Sequence, residues 1–234
     1  MLDKFSWLGH LFHLDPHSVH IHHLIAVSIF VTLLGLVAYV RLRQTEKALL
    51  PDGSITMGSI FEVAAEKLLG LLEGIMGKEH AKHYLPVVGS VFIFIFVSNL
   101  VGLIPGVLPP TESINTTLAF GIFVFIYFNY VGIKTQGLIP YLKHFAGPII
   151  FLAPLIFVLE IIGIAVRPLS LGMRLYGNIF GDHLVLSIFS GLVPYVIPVV
   201  FLLIATFVSF MQAFVFSLLT AIYITLSLPH EEHH

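Results

Sequence analysis

The chain has 234 residues, of which 57% are hydrophobic and only 10% are charged, and it contains no cysteine. Soluble domains carry about 25% charged residues, and a water-soluble fold of this size could not bury so much apolar surface, so lipid is the predicted solvent. The net charge of -2 argues against a nucleic-acid partner, and the lack of cysteine excludes disulfides and cysteine-ligated metal sites.

The N-terminal segment 1–23 is polar and does not resemble a cleaved signal peptide, because no unbroken apolar core precedes a small-residue cleavage site. Six histidines lie in it: His10, His13, His17, His20, His22 and His23. Of these, His13, His17 and His20 have helical spacing, so a metal site is an alternative. We expect instead an exposed lead-in outside the membrane, and we assign no metal and no cofactor to the chain.

Five apolar segments are long enough to cross a bilayer, which takes about 20 residues of helix. The predicted spans are 24–40, 85–104, 117–133, 148–192 and 198–228. No alternation of short strands indicates a barrel, so each span must be a helix.

The segment 59–76 is of a different kind. Its apolar residues recur at helical spacing, and Glu62, Glu66 and Glu73 fall on the other side. It is too charged to span, so we predict an amphipathic helix on the membrane surface. The predicted fold is all-α: residues 1–234 form one multi-pass membrane domain with five membrane helices and this surface helix.

Lysine and arginine predict the orientation. The connection between the first two spans is rich in them, and the one after the third span holds Lys134 and Lys143. The other two connections, 105–116 and 191–197, hold none. By the positive-inside rule the N-terminus is outside and the C-terminus is cytoplasmic.

The segment 148–192 is anomalous because a helix of about 45 residues would be roughly 65 Å long, about twice the hydrocarbon thickness. No charged loop divides it, and Pro168 can bend a membrane helix without ending it. We predict that 148–192 and 198–228 form a hairpin of long, strongly tilted helices. Lipid does not favour this inclination, so a large protein partner is expected to hold it.

The same segment contains most of the intramembrane charge, namely Glu160, Arg167, Arg174, Asp182 and His183. An arginine in the bilayer costs on the order of 3 kcal/mol or more, so such residues line a water-filled path or face a counter-charge. Snorkelling to an interface is an alternative that suits Arg167 better than Arg174, which lies midway along the segment.

Two polar stripes cross at Arg174. Glu160, Arg167 and Arg174 are spaced by seven residues, and Ser170, Arg174, Asn178 and Asp182 are spaced by four, so each set follows one side of a helix. The pattern suits two aqueous half-paths separated by a fixed positive charge, although a polar seam between packed helices is an alternative. Gly177 and Gly181 would let a partner helix approach closely, and Gln212 in the last span is either interhelical glue or part of a path.

Residues 167–178, RPLSLGMRLYGN, resemble the signature of subunit a of F-type ATP synthases. Three further stretches resemble this family in the same order: 98–105 (SNLVGLIP), 109–117 (PPTESINTT) and 210–216 (FMQAFVF). The resemblance covers about nine-tenths of the chain, with each motif on or beside a predicted helix.

The resemblance implies roles for single residues. Arg174 matches the essential arginine that faces the proton-carrying carboxylate of the rotating c-ring. The half-channel that opens outside would include Asn99, Asn178, Asp182, His183 and Gln212. The cytoplasmic half-channel would include Glu160, Arg167 and Ser170. Many bacterial members have an acid nine residues after the arginine, where this chain has His183 preceded by Asp182. His183 is a proton-relay candidate because an imidazole titrates near neutral pH, and only one of the two residues is expected to face the path.

The resemblance implies a proton-translocating stator subunit without catalytic activity of its own, and no phosphate-binding GxxxxGK[ST] motif is present. The implied partners are the c-ring, peripheral-stalk subunit b, the other ATP synthase subunits and lipid, and the implied location is the bacterial plasma (inner) membrane. Two alternatives stay open: a secondary transporter that binds a small anion at Arg174, and a membrane scaffold without transport.

Overall fold

The computed structural model describes residues 19–45, 57–104, 107, 109–145, 153–192 and 196–229. Within these ranges the backbone is entirely helical apart from turns, which confirms the all-α fold class. The helices are α1 (Val19–Thr45), α2 (Met57–Gly102), α3 (Ile114–Gln136), α4 (Leu138–Phe145), α5 (Ala153–Leu192) and α6 (Val196–Ser227), and a short 3-10 turn covers Pro110–Glu112. The predicted N-terminal lead-in up to residue 18 and the last five residues lie outside the described residues.

Four stretches of the described helices are long and apolar enough to cross a membrane: Glu62–Gly102, Ile114–Gln136, Pro154–Phe189 and Pro198–Ser227. Ile21–Leu36 within α1 is a shorter apolar stretch. Large apolar side chains on these helices point outward, with Leu203 and Phe207 of α6 69% and 64% exposed. An exposed apolar surface of this extent requires lipid or partner helices around it, so the chain is a multi-pass membrane protein.

The helix α2 contains both the segment predicted to lie on the membrane surface and the second predicted span. Its helical conformation is broken at Gly77, whose φ of 78° and ψ of 163° lie outside the helical region. Glycine adopts a positive φ without the steric cost that a Cβ brings. The residues expected to form a loop between 76 and 85 are therefore helical on the far side of a kink.

The helix α5 is one continuous element of 40 residues despite Pro168 in its interior. At a rise of about 1.5 Å per residue it is about 60 Å long. The expectation of an unbroken helix rather than two pieces is thus confirmed, and its tilt in a bilayer stays a prediction.

The chain divides into two compact units. The first comprises Met1–Pro110 and Ser209–Ser217, and the second comprises Thr111–Val208 and Leu218–His234. In the first unit α1 packs on α2, and the rings of Phe92 and Phe96 each meet Phe210 edge-on with centroids 6.0 Å apart. The middle of α6 therefore packs on the second half of α2.

The core of the second unit is the contact between α3 and α5, where two glycines allow the backbones to approach. Gly121 of α3 lies against the carbonyl of Pro168, and a Cβ added to it would be 3.1 Å from that carbonyl carbon. Reciprocally, a Cβ on Gly172 of α5 would be 2.9 Å from the carbonyl oxygen of Thr117. Since the two contacts are four residues apart on each helix and run in opposite directions, α3 and α5 pack antiparallel.

Candidate functional site

Arg174 lies midway along α5 on its exposed side. Within the described part of the chain its guanidinium has no hydrogen bond, ion pair or aromatic contact. Ser170 and Asn178, one turn away on either side, are exposed as well. The stripe inferred from the sequence therefore points away from α3 and out of the second unit.

Exposed apolar side chains cover the other sides of this helix. Leu169, Met173 and Phe180 are 50%, 48% and 45% exposed. An arginine on a lipid-facing surface costs on the order of 3 kcal/mol or more. Since the described chain supplies no opposite charge to this guanidinium, its stabilisation requires water or a counter-charge that another molecule supplies.

Small residues make the same side of α5 accessible to another helix. A Cβ added at Gly163, Gly177 or Gly181 would meet nothing within 4 Å. At about 100° per residue, all three lie within about 60° of Arg174. Gly172, two residues before the arginine, is instead used inside the second unit by its contact with α3.

Asp182 and His183 are both partly exposed on α5. By helical geometry Asp182 lies about 80° from Arg174, whereas His183 lies about 180° away. Asp182 therefore continues the stripe of Ser170, Arg174 and Asn178, and His183 is on the opposite side.

Glu160 and Arg167 form an ion pair, with Nη2 of the arginine 3.7 Å from Oε1 of the glutamate. This separation is too long for a hydrogen bond, so the contact is one of charge. The guanidinium of Arg167 also lies over two rings, 5.2 Å from the centre of Tyr223 and 6.0 Å from that of Phe128. Cation–π attraction adds to the ion pair, so Arg167 is anchored inside the second unit whereas Arg174 is not.

A cluster of polar groups that the sequence did not predict lies near the Glu160–Arg167 ion pair. Tyr141 of α4 is only 5% exposed, and its hydroxyl donates a 3.0 Å hydrogen bond to Oδ1 of Asn129 on α3. Burial raises the pKa of Tyr141 above its usual range, while a side-chain hydrogen bond with Ser227 and the charge of Arg167 oppose the rise. The phenol is therefore a neutral hydrogen-bonding group at physiological pH.

Asn99 and Gln212 belong to the first unit, where they are 4% and 5% exposed. Each has a bonding or electrostatic partner. The structure thus places two residues predicted for the outer half-channel within one compact unit.

Groups of His, Asp or Glu arranged to hold a metal ion are absent from the described ranges. Three of the six N-terminal histidines, His10, His13 and His17, lie outside these ranges, so the alternative of a histidine metal site falls partly on residues that are not described.

The fold and the site define a class of protein: a polytopic helical membrane protein with a central arginine exposed on one long apolar helix. Residues 23–225 match the family model described as ATP synthase A chain. The chain therefore belongs to the ATP synthase A chain family.

Relatives support this assignment over nearly the whole chain. ATP synthase subunit a of Bdellovibrio bacteriovorus is 43% identical over 228 residues, which cover 97% of this chain and 99% of the relative. ATP synthase subunit a of Trichlorobacter lovleyi is 43% identical over 97% of this chain and 94% of its own. ATP synthase subunit a 1 of Pelobacter propionicus is 52% identical over 75% of each chain.

Proposed function

We propose that this chain is the proton-translocating stator subunit of a rotary ATP synthase, with Arg174 as the fixed charge between two half-channels. The observation that carries the proposal is the exposed Arg174 at the centre of a 40-residue helix, without an opposite charge from the described chain. A guanidinium cannot escape this position by losing its proton. A carboxylate on a rotating ring of c subunits would supply the missing charge.

Proton entry is proposed to occur from the outside through Asn99, Asn178 and Gln212. Asp182 is the favoured acid of this path because it continues the stripe that contains Arg174. The arriving proton neutralises a ring carboxylate, which then moves through lipid. A neutral acid is much less costly there than a charged one, so the ring turns only with protonated sites.

Proton release follows when the returning carboxylate meets Arg174. An opposite charge within a few ångströms favours the ionised acid, so the proton leaves. It passes Glu160, with Arg167 and Ser170 on the same cytoplasmic side. Arg174 also repels protons that would otherwise leak directly from one half-channel to the other.

The distribution of lysine and arginine supports an outside N-terminus and a cytoplasmic C-terminus in a bacterial plasma membrane. The partners are the c-ring, peripheral-stalk subunit b and the catalytic subunits, on which ATP chemistry takes place. The open glycine side of α5 suits close packing of a ring helix.

The test is ATP-driven proton pumping by vesicles that contain the whole complex, with Arg174→Ala compared with the wild type. Pumping is expected to fall to background while the complex still assembles. Val158→Ala, which truncates an exposed apolar residue of the same helix, serves as the control and is expected to pump normally. Wild-type pumping by Arg174→Ala would make the proposed function wrong.

Gly177→Leu tests whether a helix of another chain packs beside Arg174. A Cβ at position 177 meets nothing within 4 Å, so the subunit itself is expected to accumulate normally in the membrane. Coupled pumping is expected to fall on the order of tenfold or more, because small residues permit close helix approach and leucine blocks it. Gly35→Leu on α1, also in open space, is the matched control. Equal pumping by both variants would place the ring helix elsewhere.

A further inference from the structure

The short helix α4 is folded back onto the second unit and contacts both α3 and α5. Gly137 makes the reversal, with a φ of 84°, and its N–H donates to the carbonyl of Ile133 at 2.9 Å. Tyr141 follows one turn later, and its ring lies directly against Gly132. A glycine at position 132 leaves the space that this ring fills.

Three residues from separate helices meet there, and we call them the Tyr141 clamp: Tyr141 of α4, Asn129 of α3 and Ser227 at the end of α6. The Tyr141 hydroxyl donates to Asn129, and the Tyr141 oxygen accepts a side-chain hydrogen bond from the Ser227 hydroxyl. Gln136 strengthens the link between α3 and α6, because its Nε2 donates to the Ser227 carbonyl at 3.0 Å.

The clamp continues to the ion pair of α5. The Ser227 hydroxyl proton is shared with the carbonyl of Tyr223, which lies 2.9 Å from Oγ, and the Tyr223 ring lies 5.2 Å from the Arg167 guanidinium. The second ring beside the Arg167 guanidinium is that of Phe128, the neighbour of Asn129, and its centre lies 5.7 Å from that of Tyr223. Both Arg167 and Glu160 act electrostatically on Tyr141, so the pair and the clamp are close in space.

The clamp can position charge because its groups are buried and bonded. A buried hydroxyl that loses its partner costs about 1–3 kcal/mol, so these bonds hold one arrangement of α3, α4 and α6. The position of the two rings in turn determines where the Arg167 guanidinium lies relative to Glu160.

We propose that Tyr141 is a positioning residue for proton release, acting through Ser227 and Tyr223 to hold Arg167 beside Glu160. The inference rests on the proposed function, in which protons leave past Glu160. In the described chain, the titratable groups next to the ion pair are Tyr141 of α4 and Tyr223 of α6. On the α3 side, the Phe128 ring contacts the Arg167 guanidinium. The charged Lys134 of α3 lies over the Tyr130 ring instead.

The experiment is ATP-driven pumping by the whole complex carrying Tyr141→Phe, with pH varied separately on each side of the membrane. The pumping rate is expected to fall by about three- to tenfold, as the loss of one buried hydrogen bond predicts. The dependence on cytoplasmic pH is expected to shift, and the dependence on outer pH to stay unchanged. Tyr130→Phe removes the hydroxyl of a tyrosine on α3 that is 58% exposed, and it is the control, with wild-type behaviour expected.

A second variant perturbs the same ring without removing the hydroxyl. In Gly132→Ala the new methyl group would meet Cδ2 and Cζ of Tyr141 at 3.0 Å, so the ring must move. The same shift in cytoplasmic pH dependence is expected. Asn129→Leu combined with Tyr141→Phe is expected to cost less than the two single changes together, because both remove one shared bond.

The outcomes separate this inference from the function on which it rests. Arg174→Ala is measured in parallel, and its continued pumping would overturn the proposed function itself. If Arg174→Ala is inactive but Tyr141→Phe keeps the wild-type pH dependence on both sides, the positioning role alone is overturned. A lower rate that follows only from reduced assembly, without a shifted profile, also overturns it.

Discussion

ATP-driven proton pumping is expected to fall to background in a complex that carries Arg174→Lys. Lysine keeps the formal charge, but its ammonium is a compact point charge without the planar fork of arginine. An ammonium removed from water also loses its proton far more readily than a guanidinium. At position 174, within a membrane-spanning helix, the substituted residue is therefore expected to fail both as a stator charge and as a barrier to leakage.

Arg167→Lys is the matched control for this substitution, because it makes the same change on the same helix. Arg167 lies beside Glu160 and over Tyr223, and an ammonium can replace both interactions. Pumping is expected to fall only a few-fold, in keeping with about 0.5–1 kcal/mol for an exposed cation–π contact. Pumping rates that fall equally in both variants would contradict the distinct role assigned to Arg174.

Gly121→Val is expected to have the largest effect on the stability of the second unit. The added side chain would be driven into the backbone of Pro168 in the middle of α5, which cannot rotate away as a side chain can. Overpacking of this kind costs about 1–3 kcal/mol or more, and separating α3 from α5 would also loosen the reciprocal contact at Gly172. We expect a lower temperature of complex disassembly and little assembled subunit in the membrane.

The measurement is the thermal disassembly of the purified complex, followed with the amount of subunit retained in membranes. Gly35→Val of α1 is the control, because position 35 also lies within a helix but faces open space. Gly172→Val is expected to reproduce the defect from the other helix. If Gly121→Val disassembled at the wild-type temperature, the close backbone contact would not be what holds α3 to α5.

Much of the architecture could be predicted because it follows from local chemistry. Long apolar runs must be helical in lipid, so the multi-pass class followed directly from composition. Spacing by seven placed Glu160 and Arg167 on one side of a helix, and the structure has them as an ion pair. The boundaries were less predictable: α1 begins at Val19 rather than 24, and the region before residue 85 is helical after its kink at Gly77.

The residues around the ion pair show where prediction from local pattern ends. Asn129, Tyr141 and Ser227 belong to no common motif, and nothing in their spacing relates them. They meet because α4 reverses at Gly137 and because α6 ends beside α3. The packing role of Gly172 was likewise not predicted from the sequence, since only the structure reveals that α3 occupies the space beside it.

The amino-acid sequence alone determined that the chain spans a membrane and that its long fourth span has a central arginine. It also determined which polar residues share a side of the helix with that arginine. These properties depend on composition and helical periodicity, which are local. Only the tertiary structure decided that Arg167 is anchored by rings and a carboxylate while Arg174 is exposed. That difference arises from contacts between helices distant in sequence, because a guanidinium has the same chemistry at both positions and only its neighbours distinguish them.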